Sequence, residues 1–308
     1  MKIVIFGANG FLGRALSRHF MKQGYEVVGI CRRMEGCLEN VNFVHWDGLE
    51  LGEWKKSLDG ARAVVNLAGR TVNCRYTDEN KAQIMNSRTQ TTKLIAEAIR
   101  SVENPPEVWV NSSTATIYEH REQGERVGPH TEKNGIVGDD FSMNVAKEWE
   151  QAFFSEQVTR VRKVAARTAI VLGAEKGTVF DKLSGFSRVG LGGTMGKGTQ
   201  MVSWIHEDDF CHAIEHLIQN DSEGVVNVVA PHAENNKTLM LLLRKVWKIP
   251  FGLPAMNWML EIGTFLLKSE TELVLKSRWV YPERLLKEGY EFKFDKLESA
   301  LQDLREKS

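Results

Sequence analysis

Near the N-terminus, the stretch GANGFLG at residues 7–13 limits what this chain can fold into more than any other. It follows the apolar run KIVIF and opens GRALSRHFMKQG, whose apolar residues recur at helical spacing, so its glycines stand at a strand-to-helix turn. Each glycine answers a different steric demand. Gly7 permits the tight turn, Gly10 lets the backbone come close to a ligand, and Gly13 lets the helix pack against the strand. The first N–H groups of a helix have no partner inside it, and the positive end of its dipole lies at the same point, so such a turn suits a phosphate. Asn9, Phe11 and Leu12, which fill the turn, are read as contacts to the same ligand. The spacing is GxxGxxG, not the commoner GxGxxG.

The rest of the chain repeats the strand-then-helix alternation. The runs KIVIFG, EVVGIC, VNFVHW, AVVNLAG, EVWVNSS and RKVAART have strand length, and DENKAQIMNSRTQTTKLIAEAIRS and DFSMNVAKEWEQAFFSE have helical spacing. Near-continuous apolar strands separated by helices predict a parallel sheet covered on both faces. The pattern loosens over 173–200, which is glycine-rich and has no strand signal, and resumes with SWIHEDDFCHAIEHLIQN and GVVNVVAP. From Asn235 onward the chain reads as mostly helical, broken by Pro250, Pro254 and Pro282. The expected fold is α/β, a Rossmann-like doubly wound parallel sheet with a smaller, mostly helical C-terminal substrate lobe. Residues 1–173 and 203–231 are expected to form the dinucleotide domain, and 174–202 with 232–308 the lobe. The lobe would lie over the carboxyl ends of the strands, where open parallel sheets bind ligands.

Charge and cysteine usage exclude several function classes. Lys+Arg and Asp+Glu both number 40, so no net field draws the chain to nucleic acid or an anionic membrane. A small-molecule substrate is the expected partner, and oligomeric state is left open. The longest apolar stretch, PAMNWMLEIGTFLL, is interrupted by Glu261 and falls short of the ~20 residues a bilayer span needs, so it reads as an amphipathic helix. Cys31, Cys37, Cys74 and Cys211 show no metal-ligand spacing, and a chain that opens on a strand with no secretory segment is expected in the cytoplasm.

The end of the second strand selects the cofactor. A carboxylate there would bind the ribose 2′-hydroxyl of NAD, but the sequence has Cys31, Arg32 and Arg33. Guanidinium forks pair with a 2′-phosphate, which points to NADP, although a solvated basic turn is the plain alternative. Asp47, after FVHW, either accepts a hydrogen bond from the adenine amine or simply forms a turn.

GANGFLG, NLAG at 66–69, SSTATIY at 112–118 and SWIHEDD at 203–209 together resemble the extended short-chain dehydrogenase/reductase superfamily. NSRTQTTKLIAEAI, RTAIVLG, GLGGTMGKGTQMVSWIHEDD and YPERLLKEGYEFKFDKLESAL resemble its atypical branch, the NAD-dependent epimerase/dehydratase-like "epimerase family protein". The resemblance runs from the first strand to the last helix. It implies that Leu67, Ala68 and Gly69 line the adenosine side, that Arg88 reaches the cofactor phosphates, and that Thr114 hydrogen-bonds a substrate oxygen. Core packing for Leu67 and Ala68, and a solvated helix position for Arg88, are the alternatives.

In that superfamily a Tyr-x-x-x-Lys pair on one helix face supplies the proton and holds the nicotinamide ribose. Here Lys147 fills the lysine position and Met143 the tyrosine position, and a thioether cannot transfer a proton. Tyr118, His206 and His232 are the candidate replacements, Tyr118 first. The chain therefore reads as an NADP(H)-binding oxidoreductase or epimerase-like enzyme, acting on a small carbonyl or sugar-like substrate. The alternative is a non-catalytic NADP(H)-dependent redox sensor or regulatory binding protein.

Overall fold

The computed structural model of the chain describes residues 1–121, 128–254 and 276–308. Strands β1 (Lys2–Phe6), β2 (Glu26–Cys31), β3 (Asn42–His45), β4 (Ala63–Asn66), β5 (Val108–Thr114), β6 (Arg162–Thr168) and β10 (Gly224–Val228) form one seven-stranded sheet. Its order is β3-β2-β1-β4-β5-β6-β10, and every neighbouring pair is parallel.

Alternation along β1 explains why both faces are covered. Ile3 and Ile5 point into a core with Leu16 and Phe20 of α1 (Phe11–Lys22) and Phe210, Ile214 and Leu217 of α5 (Glu207–Gln219). Val4 and Phe6 point the other way, onto Leu94 and Ile95 of α2 (Asp78–Ser101) and Phe153 of α3 (Phe141–Ser155). The chain winds outward from β1 through β2 to β3, then returns to start β4 on the far side of β1. That reversal puts the topological switch point at the carboxyl ends of β1 and β4, where open parallel sheets bind ligands.

A third apolar core lies under α4 (Val179–Arg188), α6 (Asn236–Trp247) and α8 (Leu297–Lys307), with Phe180, Met240, Leu243, Leu301 and Leu304 at its centre. Leu172 of β7 (Ile170–Leu172) and Trp204 of β9 (Trp204–His206) join it, so sheet-following segments and helices share one interior. β8 (Met201–Val202) pairs antiparallel with β11 (Glu234–Asn235), and the short α7 (Glu283–Lys287) precedes α8.

The main sheet and its helices follow the sequence expectation. Residues 173–200 do not, because they contain α4, capped by the Thr178 side chain on the Asp181 N–H at 3.3 Å. Flanking glycines mask its short apolar stripe of Phe180 and Leu183. The stretch PAMNWMLEIGTFLL, read as an amphipathic helix, lies beyond Pro254 outside the described residues. Among the described residues no helix is long and apolar enough to cross a membrane.

Candidate functional site

Gly7 ends β1 with φ +76°, and its N–H donates to Ile30 O at 2.8 Å. A Cβ on Gly7 would stand 3.1 Å from the Leu67 carbonyl carbon, so the turns after β1 and β4 touch through backbone alone. A Cβ on Gly13 would fall 2.5 Å from Ala8 Cα, which makes that glycine a packing requirement. Gly10 is different: it is exposed, and its nearest neighbour to a Cβ is Gly7 O at 3.3 Å. Gly10 caps α1 without a side-chain hydrogen bond and no acidic residue stands in the first turn, whereas Thr77, Asp140, Thr178, His206 and Asn235 cap α2 to α6 with their side chains. Phe11 and Leu12 begin the helix, and the N–H of Arg14 closes a helical bond to Gly10 O at 2.8 Å. This end of α1 is built to receive an anion.

Asn9 turns its amide toward the loop after β2, donating to Arg33 O at 2.9 Å and Glu35 O at 3.1 Å. Its side chain holds that loop against the glycine turn. Arg32 and Arg33 are exposed on the loop, while the Cys31 thiol is buried and pushed up to about 12, first by desolvation. The Asp47 carboxylate accepts from the Leu49 and Glu50 N–H groups at 2.8 and 3.1 Å, and these hold it below the usual carboxylate range. The turn-forming alternative therefore accounts for one of its oxygens.

At the end of β4, Asn66 donates to Asn111 Oδ1 at 2.7 Å and accepts from the Ala68 N–H at 3.0 Å, which fixes the course of Leu67, Ala68 and Gly69. Gly69 passes over Arg88, whose Cζ would lie 3.5 Å from a Cβ there. The Arg88 guanidinium sits 5.1 Å from the Trp149 ring and donates to Ile84 O at 3.0 Å. Desolvation pushes it down to about 10, and no carboxylate among the described residues is paired with it. A half-buried cation in this position favours a bound anion above it.

Thr114 is half-buried at the end of β5 and donates to Thr116 Oγ1 at 2.9 Å, forming a hydroxyl pair whose second member the sequence reading missed. On α3, Met143 is buried against Gly138, and Lys147 reaches Asp139 Oδ1 at 2.8 Å.

The proton-donor candidates fare differently. Tyr118 is 0% exposed: its hydroxyl donates to Asn227 Oδ1 at 2.8 Å and accepts from Arg167 Nη1 at 2.9 Å, with desolvation first in holding its pKa above the ordinary phenol range. These two partners enclose the hydroxyl away from solvent. Glu150 completes the cluster, accepting from Arg167 Nη2 at 2.6 Å and from Ser113 Oγ at 2.6 Å. The signal for this cluster was a carboxylate on the apolar stripe of α3 facing an arginine in an apolar strand.

His206 is also buried, and desolvation lowers it to about 4. It caps α5, with Nε2 3.1 Å from Asp303 of α8, so it does not face the cleft. His206, Asp208 and Asp303 could be taken for a metal cluster, but Lys307 Nζ lies 3.0 Å from Asp208 and 2.7 Å from Asp303 and supplies the cation. His232 is exposed and lines a groove of about 560 Å³ with Met201, Trp279, Tyr281 and Lys296.

Known proteins share this architecture along its full length. The chain matches the model of the NAD dependent epimerase/dehydratase family over residues 3–229 and a domain of unknown function, DUF1731, over 257–304. It is 30% identical to epimerase family protein SDR39U1 of Homo sapiens over 99% of both chains, and 28% identical to epimerase family protein YfhF of Bacillus subtilis over 99% of this chain and 98% of that one. The crystal structure of the human protein's isoform 2, with NADPH, superimposes with a TM-score of 0.87 at 27% identity, covering 100% of both chains. With a parallel sheet whose strand order reverses at β1 and β4, an uncapped glycine turn and a family match over most of its length, this chain belongs to the NAD dependent epimerase/dehydratase family.

Proposed function

We propose that the protein binds NADP(H) across the carboxyl ends of β1, β2, β4 and β5, and acts as an oxidoreductase or epimerase-like enzyme on a small carbonyl or sugar-like substrate. The observation that carries the cofactor choice is the exposed pair Arg32 and Arg33 at the end of β2, where a carboxylate would favour NAD. Their guanidinium forks match the 2′-phosphate that distinguishes NADP. The uncapped end of α1 and Arg88, which has no carboxylate partner among the described residues, suit the diphosphate, and the human relative was crystallised with NADPH. Bound NADP(H) would supply or accept a hydride at C4 of its nicotinamide.

The chain's own residues have the remaining tasks. Thr114, paired with Thr116, would turn its hydroxyl to the substrate oxygen. Lys147, now held by the exposed Asp139, would donate to the ribose. Neither Met143 nor Tyr118 moves a proton in this reading, which leaves His232 on its groove as the remaining imidazole among the candidates.

The burial of Met143 and Tyr118 also favours a second reading, an NADP(H)-dependent redox sensor without turnover. Calorimetry with NADPH and NADH tests the shared part, and equal affinities would sink it. Steady-state NADPH oxidation across a panel of aldehydes, ketones and nucleotide sugars separates the two readings. Saturable turnover supports the enzyme, whereas tight NADPH binding without turnover favours the sensor.

A further inference from the structure

The loop that carries Arg32 and Arg33 is bounded by two cysteines. Cys31 Sγ lies 3.8 Å from Cys37 Sγ and 3.8 Å from Met34 Sδ. We propose that Cys31 and Cys37 are a reversible disulfide-forming site, and that closing the bridge re-aims Arg32 and Arg33 and weakens binding of a 2′-phosphate. The coupling to affinity rests on the NADP(H) reading of the two arginines; the bridge itself does not.

Mechanics fix which partner moves. Cys31 is the last residue of β2, in register with His45, and its carbonyl accepts the Trp46 N–H at 3.2 Å. The sheet therefore holds it still. Cys37 is half-buried on the loop and follows Gly36, a φ +75° hinge. A disulfide is ~2.05 Å long, so the sulfurs must approach by ~1.7 Å, and the loop supplies that motion. The same loop is tied to the glycine turn through Asn9, whose amide donates to Arg33 O and Glu35 O. Drawing Cys37 toward the strand pulls on both bonds and shifts the backbone between them, so the two exposed guanidinium groups are re-aimed with it. Conversely, a 2′-phosphate held by both arginines restrains the loop and slows the bridge.

Hydrogen peroxide is an adequate oxidant. The Cys37 sulfur attacks one peroxide oxygen: an S–O bond forms, the O–O bond breaks, and hydroxide leaves with the thiol proton as water. The Cys31 sulfur then attacks the Cys37 sulfur: the S–S bond forms, the S–O bond breaks, and the second hydroxide leaves as water with the Cys31 proton. Two thiols are oxidised and one peroxide is reduced to two waters. Burial of Cys31, which raises its pKa to about 12, gives the first step to the more accessible Cys37.

The test treats reduced full-length protein with hydrogen peroxide, maps bridged peptides by mass spectrometry, and titrates NADPH and NADH before oxidation, after it, and after dithiothreitol. The expected result is a Cys31–Cys37 bridge that forms more slowly when NADPH is saturating. NADPH affinity should fall about tenfold, the order expected for losing one charge-assisted hydrogen bond, while NADH affinity holds and dithiothreitol restores the starting values. Cys37→Ser should bind NADPH like the reduced protein and lose the sensitivity to peroxide. No bridge in folded protein overturns the proposal, and so does a bridge that leaves NADPH affinity unchanged in protein that, when reduced, prefers NADPH. Equal affinity of the reduced protein for NADPH and NADH is a different failure: it removes the NADP(H) reading and the coupling with it, while the mass spectrum still reports the bridge.

Discussion

Gly10 and Gly13 share one turn, but the space around them differs, and so should their substitutions. Gly13→Ala puts a methyl 2.5 Å from Ala8 Cα and should break the packing of α1 on β1, read as a large loss of thermal stability. Gly10→Val meets little protein and should leave a folded chain that no longer binds NADPH, because the new side chain occupies the phosphate's place; tight binding in fluorescence titration would refute this. Replacing both Arg32 and Arg33 with alanine should weaken NADPH binding by ~2–4 kcal/mol and leave NADH nearly unchanged by calorimetry. Tyr118→Phe should act on stability instead of rate. It strips Asn227 and Arg167 of a shared hydroxyl, so a loss of ~1–3 kcal/mol in urea unfolding is expected, with any turnover preserved. The packing role of Gly13 was legible in the sequence because its constraint lies within its own turn, against Ala8. The fate of Tyr118 was not, because its hydroxyl is claimed by Arg167 of β6 and Asn227 of β10, each distant in the chain.

At the scale of elements, Lys307 of α8 bonds Asp208 of α5 beside a buried histidine, and that histidine gives stability a pH dependence. The His206 pKa is lowered from 6.5 to about 4, with desolvation as the largest cause. Between those values the unfolded chain binds the proton and the folded chain does not, so stability is full above the unfolded value and is lost as pH falls toward 4. One pKa unit is ~1.36 kcal/mol, which puts the loss on the order of 3 kcal/mol. Midpoints of thermal unfolding across this range should fall less steeply with acid in His206→Asn, and identical slopes would reject the assignment. The helix itself was legible from SWIHEDDFCHAIEHLIQN, since acidic residues crowd its first turn and apolar residues recur behind them. The burial of His206 was not legible, because it depends on α8 being folded over it. α4 was missed for a related reason: its glycine-rich flanks obscured a short stripe that is stable only because α6 covers it.

For the whole molecule, the third core ties the sheet to the helices that follow it. Leu172, Trp204 and Ala230, which follow the sheet, are packed with Leu243, Leu301 and Leu304 of the helices. Leu301→Ala should therefore cost ~2–5 kcal/mol and lower one shared transition, with circular dichroism and NADPH fluorescence changing together in urea. Separate transitions would show that sheet and helical layer fold independently. The sequence by itself determined the order of strands and helices, the parallel sheet and the glycine turn between β1 and α1, because strand and helix periodicity and glycine sterics act over a few neighbouring residues. It also displayed the Met143 substitution and the arginine pair. Only the tertiary structure decided which polar side chains reach solvent: Glu150, Arg167 and Tyr118 satisfy one another across α3, β6 and the end of β5, and Lys307 fills the cluster of His206, Asp208 and Asp303. The physical reason is desolvation. A buried polar group must find its partner inside the fold, and those partners come from strands and helices far apart in the chain.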